Sequence, residues 1–397
     1  MAFNGKDTLH WMCTDFDFAD LSLDCGNSKN GSINPLENWN SELIMLTYVN
    51  YAGLAPLRFQ SYLKGFLPPE LMGNVRLPKC TDQLKRLRKK VAAWIGCKPE
   101  QVAFVPSTSL ALTLAAYSLN WQKDEVALYP ANDFPANILP WQKLERFGAK
   151  AMGITDWPEP WPEMTKMVSL STVDYSTGIE QPWREVVARA RSQNIWTCVD
   201  AVQSAGIKPS WHPDIDFWCA GAQKWLVSGL GVAILILSER VLEQLSPPFP
   251  NWLGLQNTSF LNSGSNLDLK DTAQGWEMGW VAPTALNRLE ASLDYFKKVG
   301  WDTVTAQVKS NRDYLHEQCL EMGWSIASCP VQWSGIVSLK LAPGQAELMV
   351  KDGYQHRIVT AQRGDYVRLS PHMFNSMRQL KKVSHWLEKC YMEYGRI

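Results

Sequence analysis

Three places in this 397-residue chain set a reactive or charged side chain against an apolar run able to bury it. Lys224 stands in CAGAQKWLVSGLG, residues 219–231, between small and apolar residues. An ammonium drawn into such surroundings loses hydration and its pKa falls, leaving a neutral amine that can act as nucleophile or base. The other reading is a lysine at a strand end whose ammonium snorkels to water. Asp200 closes the apolar run IWTCV and opens VDAVQSAG, with Gln203 three residues on. A carboxylate there is either a solvated loop acid or an acid kept ionised to hold a cation. Thr108 and Ser109 follow QVAFVPS and open a helical pattern. Hydroxyls and free N–H groups at a helix start either cap the helix or bind an anion.

The elements that must position these groups alternate along the chain. DQLKRLRKKVAAWIG has apolar residues at helical spacing and ends in glycine; QVAFVPS reads as a strand and TSLALTLAAYSL as a helix. EVALYP, AKAMGIT, KMVSLSTV, IWTCVDA, DFWCAGA and GVAILIL read as further strands, with PANILPWQKLERFG and PWREVVARARSQN as helices between them. Short apolar strands alternating with helices predict an α/β fold with a mostly parallel, doubly wound sheet. Past residue 284 the pattern changes. The amphipathic helices TALNRLEASLDYFKKVG and VKSNRDYLHEQCLEMG lead to strand pieces SGIVSLKLA and YVRLSPH and a last helix, MRQLKKVSHWLEKC. The expected division is an N-terminal segment 1–47 packing on a small α+β domain 285–397, with a large domain 48–284 between them in sequence.

Ligands of open α/β sheets sit beyond the carboxyl ends of the strands. There the chain offers an anion cradle, a carboxylate and a lysine, in that order. Pyridoxal 5'-phosphate (PLP) asks for all three: its phosphate, its pyridinium nitrogen and its aldehyde. At this point the sequence resembles a known family. VDAVQSAG and DFWCAGAQKWLVSGLGVAIL are similar to the Asp-x-x-Gln and lysine segments of class V aminotransferases, fold-type I PLP enzymes that include cysteine desulfurases, kynureninases, isopenicillin N epimerases and cystine C–S lyases. The likeness runs from TYVNYAGLAPL (47–57) to YVRLSPHMFN (366–375).

The resemblance implies a role for each matching residue. Lys224 would form the Schiff base, Asp200 would hold the pyridinium nitrogen and Gln203 the ring hydroxyl. Thr108 and Ser109 would take the phosphate, and Gln223, where the family often has His or Tyr, could reach it as a donor. Ser171 in VSLSTVDYSTG matches a further phosphate- or ring-contacting position. Phe134 in NDFPANILPW falls where desulfurases stack a histidine on the ring, and its FPxN form resembles kynureninase- and epimerase-like members, which stack a phenylalanine there. Arg368 in YVRLSPHMFN matches the arginine that grips a substrate carboxylate, a task suited to a planar, bidentate guanidinium.

One segment departs from the family. WEMGWVAP aligns with Glu-x-Gly-Thr, whose threonine reaches the partner subunit's phosphate; here the position is Trp280. A homodimer with sites at the subunit interface is expected, with the role of Trp280 open. Between Leu341 and Arg368 there is no cysteine, so the loop that carries a desulfurase's nucleophile lacks it; Cys329 lies earlier. The favoured outcome is a lyase-like cleavage or replacement at Cβ or Cγ of an amino acid, in specialised metabolism. Transamination or Cα epimerisation is the alternative within the family, and a catalytically inactive PLP-fold binding protein the alternative outside it.

Composition bounds these readings. Hydrophobic residues make up 46% and charged residues 20%, with 39 basic against 39 acidic side chains, which argues against nucleic-acid or polybasic membrane binding. Nine scattered cysteines without a CxxC pair suit a reducing compartment, hence an expected cytoplasmic location. MAFNGKDTLHWMCTDFDFAD lacks the apolar core of a secretory signal, and GVAILIL is too short to span a bilayer. The 19 tryptophans hint at an aromatic-walled cleft. No strand is followed by a GxGxxG fingerprint, and no metal site is expected.

Overall fold

The seven strands expected between residues 102 and 237 join one sheet, in the spatial order β2-β8-β7-β6-β5-β3-β4. They are β2 (Val102–Val105), β3 (Val126–Pro130), β4 (Lys150–Ile154), β5 (Thr165–Ser171), β6 (Trp196–Asp200), β7 (Phe217–Gly221) and β8 (Ala233–Leu237). This computed structural model describes residues 46–58, 61, 63, 77–256, 268–328 and 332–395. Residues 1–45 of the expected N-terminal segment lie outside the described residues, as does Cys329.

β4, β3, β5, β6 and β7 pair in parallel, and β8 runs antiparallel between β7 and β2. Period-two alternation along buried strands gives each face its own core. Val102 and Phe104 of β2 and Ile234 and Ile236 of β8 face one core, with Val186, Val187 and Ala190 of α4 (Trp183–Ser192). Ala103, Val105, Ala233, Leu235 and Leu237 face the other, with Ala111, Leu112 and Ala115 of α2 (Thr108–Tyr117). Helices thus cover both faces, and the sheet is doubly wound as expected. α1 (Leu77–Ile95) leans on α6 (Pro283–Val299), where Lys90 pairs with Glu290 and Asp294.

The stretch PANILPWQKLERFG departs from the expected helix. It folds as a 3-10 turn at Pro135–Asn137, one α-helical turn, α3 (Leu139–Gln142), and a second 3-10 piece, Lys143–Phe147. Pro140 removes an N–H donor that a continuous helix needs, and its ring crowds the preceding turn; Pro135, at a first helical position, costs no such bond. After β8 comes the short α5 (Glu239–Gln244).

A second, antiparallel sheet has the order β11-β12-β9, from β9 (Val337–Lys340), β11 (Ala361–Arg363) and β12 (Tyr366–Leu369). It shares a third core with α7 (Trp301–Met322), α8 (Gln345–Gln355) and α9 (Met377–Tyr394). α7 serves two cores: Val304 and Val308 pack with the large sheet, Leu315 and Cys319 with the small one. The short β1 (Thr47–Tyr48) pairs in parallel with β10 (Ile358–Val359) and draws Val49 into the third core.

Candidate active site

The carboxyl ends of β5, β6 and β7 bring the expected residues to one rim of the large sheet. Ser171 and Asp200 are register partners at the ends of β5 and β6. Asp200 is buried, and its Oδ1 accepts from the Val202 N–H at 2.9 Å. Its second oxygen takes no hydrogen bond among the described residues. Burial raises its pKa, the nearby Asp133 adds to the rise, and Lys224 opposes it.

Lys224 lies in a tight turn just past β7. Val227 N–H closes on the Lys224 carbonyl at 2.9 Å, and Ser228 donates from N–H and Oγ to the Ala222 carbonyl. Val227 adopts φ 45°, a left-handed conformation that costs a β-branched residue about 1–3 kcal/mol and persists because its surroundings impose it. The Lys224 amine makes no hydrogen bond or ion pair among the described residues; the Phe134 ring centroid lies 5.8 Å away. Desolvation lowers its pKa, Arg368 lowers it further, and Asp200 works in the other direction. The amine is thus desolvated and unpaired among the described residues.

The anion cradle forms at the start of α2. Ser107 caps the helix, its hydroxyl accepting from the Leu110 N–H at 3.2 Å. Thr108 is buried and its hydroxyl has no partner, whereas Ser109 is exposed. Gly221 matters here: a Cβ at that position would lie 2.7 Å from Thr108 Oγ1 and 2.2 Å from Gln223 Oε1. A side chain at position 221 would push these two polar groups from their present places. An orphaned buried hydroxyl, the first N–H groups of α2 that the Ser107 cap does not take and an adjacent amide form a set of donors that fits a phosphate. The unpaired amine and the half-used carboxylate fit the remaining two demands of PLP.

Gln203 and Ser171 are more committed than expected. Gln203 donates to the Ala52 carbonyl at 3.2 Å and accepts from Trp225 Nε1 at 3.2 Å, leaving one amide proton for a ligand. The Ser171 hydroxyl donates to Asp133 at 2.7 Å. Asp133 is the residue that sequence reasoning missed. Its carboxylate also accepts from Phe134 N–H at 2.7 Å, Asn137 Nδ2 at 2.9 Å and Ser171 N–H at 3.2 Å, tying the end of β3 to that of β5. The signal was present in NDFPAN, an acid directly before Phe134 with Asn137 four residues on. Phe134 itself is 44% exposed and meets Tyr175 edge-on at 5.3 Å.

Arg368 enters from β12 of the small sheet. It is 1% exposed and donates to the Tyr175 carbonyl and, at 3.4 Å, to Asn50 Oδ1, while its Nε has no partner. Desolvation and then Arg363 lower its pKa. The rest of the RLSPHMFN motif staples residues 48–52 to this hairpin. Ser370 Oγ accepts from Ala52 N–H at 3.0 Å, and Asn375 donates to the Tyr48 carbonyl at 2.9 Å. His372 stacks on Phe374 and its Nε2 meets the Trp225 carbonyl at 3.1 Å, next to Lys224 in sequence. Burial pushes the His372 pKa down to about 4, so the ring is neutral at pH 7.

In the divergent WEMGWVAP segment, Glu277 is buried, ion-paired to Arg88, and accepts from the Phe104 N–H of β2 at 2.9 Å. Trp280 is 36% exposed and tilted against Trp252, ring centroids 6.5 Å apart. Among the described residues no cluster of metal-ligating side chains occurs, and no helix is long and apolar enough to cross a membrane.

The family model described as Aminotransferase class-V matches residues 73–351. An uncharacterized aminotransferase of Bacillus subtilis, YcbU, is 26% identical over 74% of this chain and 80% of its own length. A probable cysteine desulfurase of Methanothermobacter thermautotrophicus is 23% identical over 78% of this chain and 84% of its own. Among solved structures, the apo cysteine desulfurase of Thermococcus onnurineus matches with TM-score 0.75 and 19% identity, over 88% of this chain and 95% of that one. The cystine C–S lyase C-DES, in complex with its product cysteine persulfide, matches with TM-score 0.78 and 17% identity, over 87% and 98%. These structural likenesses concern the fold, which is that of fold-type I PLP enzymes. The chain belongs to the class V aminotransferase family and is a PLP-dependent enzyme.

Proposed function

We propose that the protein is a lyase acting on an α-amino acid, cleaving or replacing a substituent at Cβ or Cγ, and that Lys224 is its central catalytic residue. The observation that carries this reading is the desolvated Lys224 amine, unpaired between an acid at the end of β6 and an arginine from the small sheet. Thr108, Ser109 and Gln223 would hold the phosphate, Asp200 the ring nitrogen, Gln203 the ring hydroxyl and Phe134 the ring face. Lys224 is the amine that carries the cofactor covalently. When bound, PLP supplies an electron sink for charge developing at the substrate's Cα.

The remaining work falls to the chain. Arg368 takes the substrate carboxylate and fixes which Cα bond stands ready to break. Lys224, once free, removes the Cα proton, a role that favours a neutral amine of lowered pKa. With Phe134 in place of an imidazole, Lys224, protonated by that transfer, is also the acid that would donate its proton to a departing side-chain group. Asp133 does not titrate in this scheme; it holds the backbone N–H groups of Phe134 and Ser171 in place.

Transfer of sulfur through an enzyme-borne persulfide does not fit, since Leu341 to Arg368 contains no cysteine. Among the described cysteines, Cys198, Cys219, Cys319 and Cys390 are buried and burial pushes the half-buried Cys97 thiol up to about 12. Similarity to YcbU favours transamination as the second reading. The exposed Trp252 and Trp280 pair, with Leu230 and Met278 also exposed, supports the homodimer. The large and small domains would then meet along α6 and α7, with the division at residues 284 and 285.

The test is a panel of amino acids incubated with the holoenzyme in deuterated buffer, with and without a 2-oxo acid acceptor. Release of a side-chain fragment and ammonia without acceptor is expected. Turnover only with acceptor would establish the aminotransferase, and Cα exchange with inversion alone would establish the epimerase.

A further inference from the structure

Arg363 is a charged neighbour of the site that this reading leaves without a task. It ends β11, and the β11–β12 register sets Arg363 opposite Tyr366 and Ala361 opposite Arg368. Residues two apart on a strand share a face, and so do directly opposed residues, so Arg363, Tyr366 and Arg368 project from the same face of the hairpin. The two arginines stand on a diagonal of about 7–8 Å between backbones, a span that long side chains bridge readily.

Neither guanidinium has an ion pair among the described residues. Arg363 donates only to the carbonyl of its neighbour Gln362, at 2.6 Å, although it is half-buried. Arg363 sits close enough to Arg368 and to Lys224 to lower the proton affinity of both. Asp174 is the acid that acts on Arg368, and its Oδ1 is already held by the N–H and hydroxyl groups of Ser176 and Thr177 at 2.6–2.9 Å. A substrate with a single carboxylate, gripped by Arg368, leaves Arg363 half-desolvated and uncompensated beside a second cation, an unfavourable arrangement.

We propose that Arg363 is a second anion-binding residue of the site, and that the substrate is an α-amino acid whose side chain carries its own acid group, of the carboxylate or sulfinate class. The inference rests on the proposed role of Arg368. Arg368 takes the α-carboxylate and Arg363 the side-chain acid, so the side chain is drawn along the hairpin face and away from Phe134. Tyr366, directly opposite Arg363, lines the same edge of the cleft.

The test titrates the visible absorbance of the holoenzyme's cofactor with aspartate, cysteine sulfinate, glutamate and the isosteric neutral amides asparagine and glutamine. Wild type is expected to bind at least one acidic amino acid about 10–100-fold tighter than its amide, the range for a charge-assisted guanidinium contact. In R363Q that ratio should collapse to within about twofold, and R363K should restore part of it. Equal affinities for acid and amide in wild type would overturn the inference. So would an R363Q variant that weakens acids and amides alike, which marks a structural residue. R368Q separates the two readings: it should weaken acids and amides together, and failure to do so would overturn the role of Arg368 and this inference with it.

Discussion

The two walls of the cleft use charge in opposite ways. The wall built from the large sheet, at the ends of β5 to β7, mixes one saturated acid, Asp133, with one half-used acid, Asp200, and an unpaired amine, Lys224. The wall built from the β11–β12 hairpin carries two arginines, Arg363 and Arg368, neither of them ion-paired among the described residues. Both walls hold buried, uncompensated ionisable groups, which proteins rarely retain for stability alone. The difference is in sign. The first wall suits a ligand with both a cationic and an anionic end, and the second suits anions only, so in the proposed function cofactor and substrate are divided between two sheets.

The first wall breaks most completely at its amine. Lys224→Ala should lower turnover by about 10³-fold or more, the upper range for loss of a general base, while leaving the fold intact by circular dichroism. Asp200→Asn comes next, with a loss of about 10²–10³-fold from removal of a preorganised charge. The same variant tests the pKa argument without activity. Asp200 binds its proton more tightly folded than unfolded, so its contribution to stability is present below about pH 4 and lost as pH rises. Cofactor-free Asp200→Asn should therefore melt above wild type at pH 8, with the gap closing toward pH 4.

On the second wall, Arg368→Gln should raise KM about 100-fold for every amino-acid substrate, because its buried contact to the carboxylate is lost. The smallest effect concerns the histidine that braces the two walls. His372 has a folded pKa of about 4 against an ordinary 6.5, so the stability it contributes is complete above pH 6.5 and lost as pH falls toward 4. His372→Gln, which keeps a donor for the Trp225 carbonyl, should remove about 2 kcal/mol of the acid-induced loss between pH 6.5 and pH 5, read from urea unfolding curves.

The large-sheet wall was far more legible in the sequence than the hairpin wall. β-branched runs such as GVAILIL and IWTCV announce buried strands, and the rule about strand ends then points to Asp200 and Lys224 directly. Asp133 escaped because its carboxylate acts only through local hydrogen bonds, which leave no periodic trace. Arg363 escaped for another reason: that it shares a face with Arg368 depends on a two-residue turn and on strand register, and a one-residue slip would send it to the other face. The broken helix at 135–147 is foreshadowed by Pro140, whose missing N–H falls inside the apolar helical spacing. His372 and Asn375 stood in the motif that identified Arg368, yet their work, stapling residues 48–52 and the lysine turn to the hairpin, is long-range and appears only in the fold.

The most direct test of the account reduces the holoenzyme with borohydride, digests it and maps the modified peptide by mass spectrometry. The account predicts one stoichiometric pyridoxyl label, on Lys224, and its absence from Lys224→Ala. A label on another lysine, or a protein that binds PLP with no covalent attachment, would contradict the assignment of Lys224 on which the rest of the site depends.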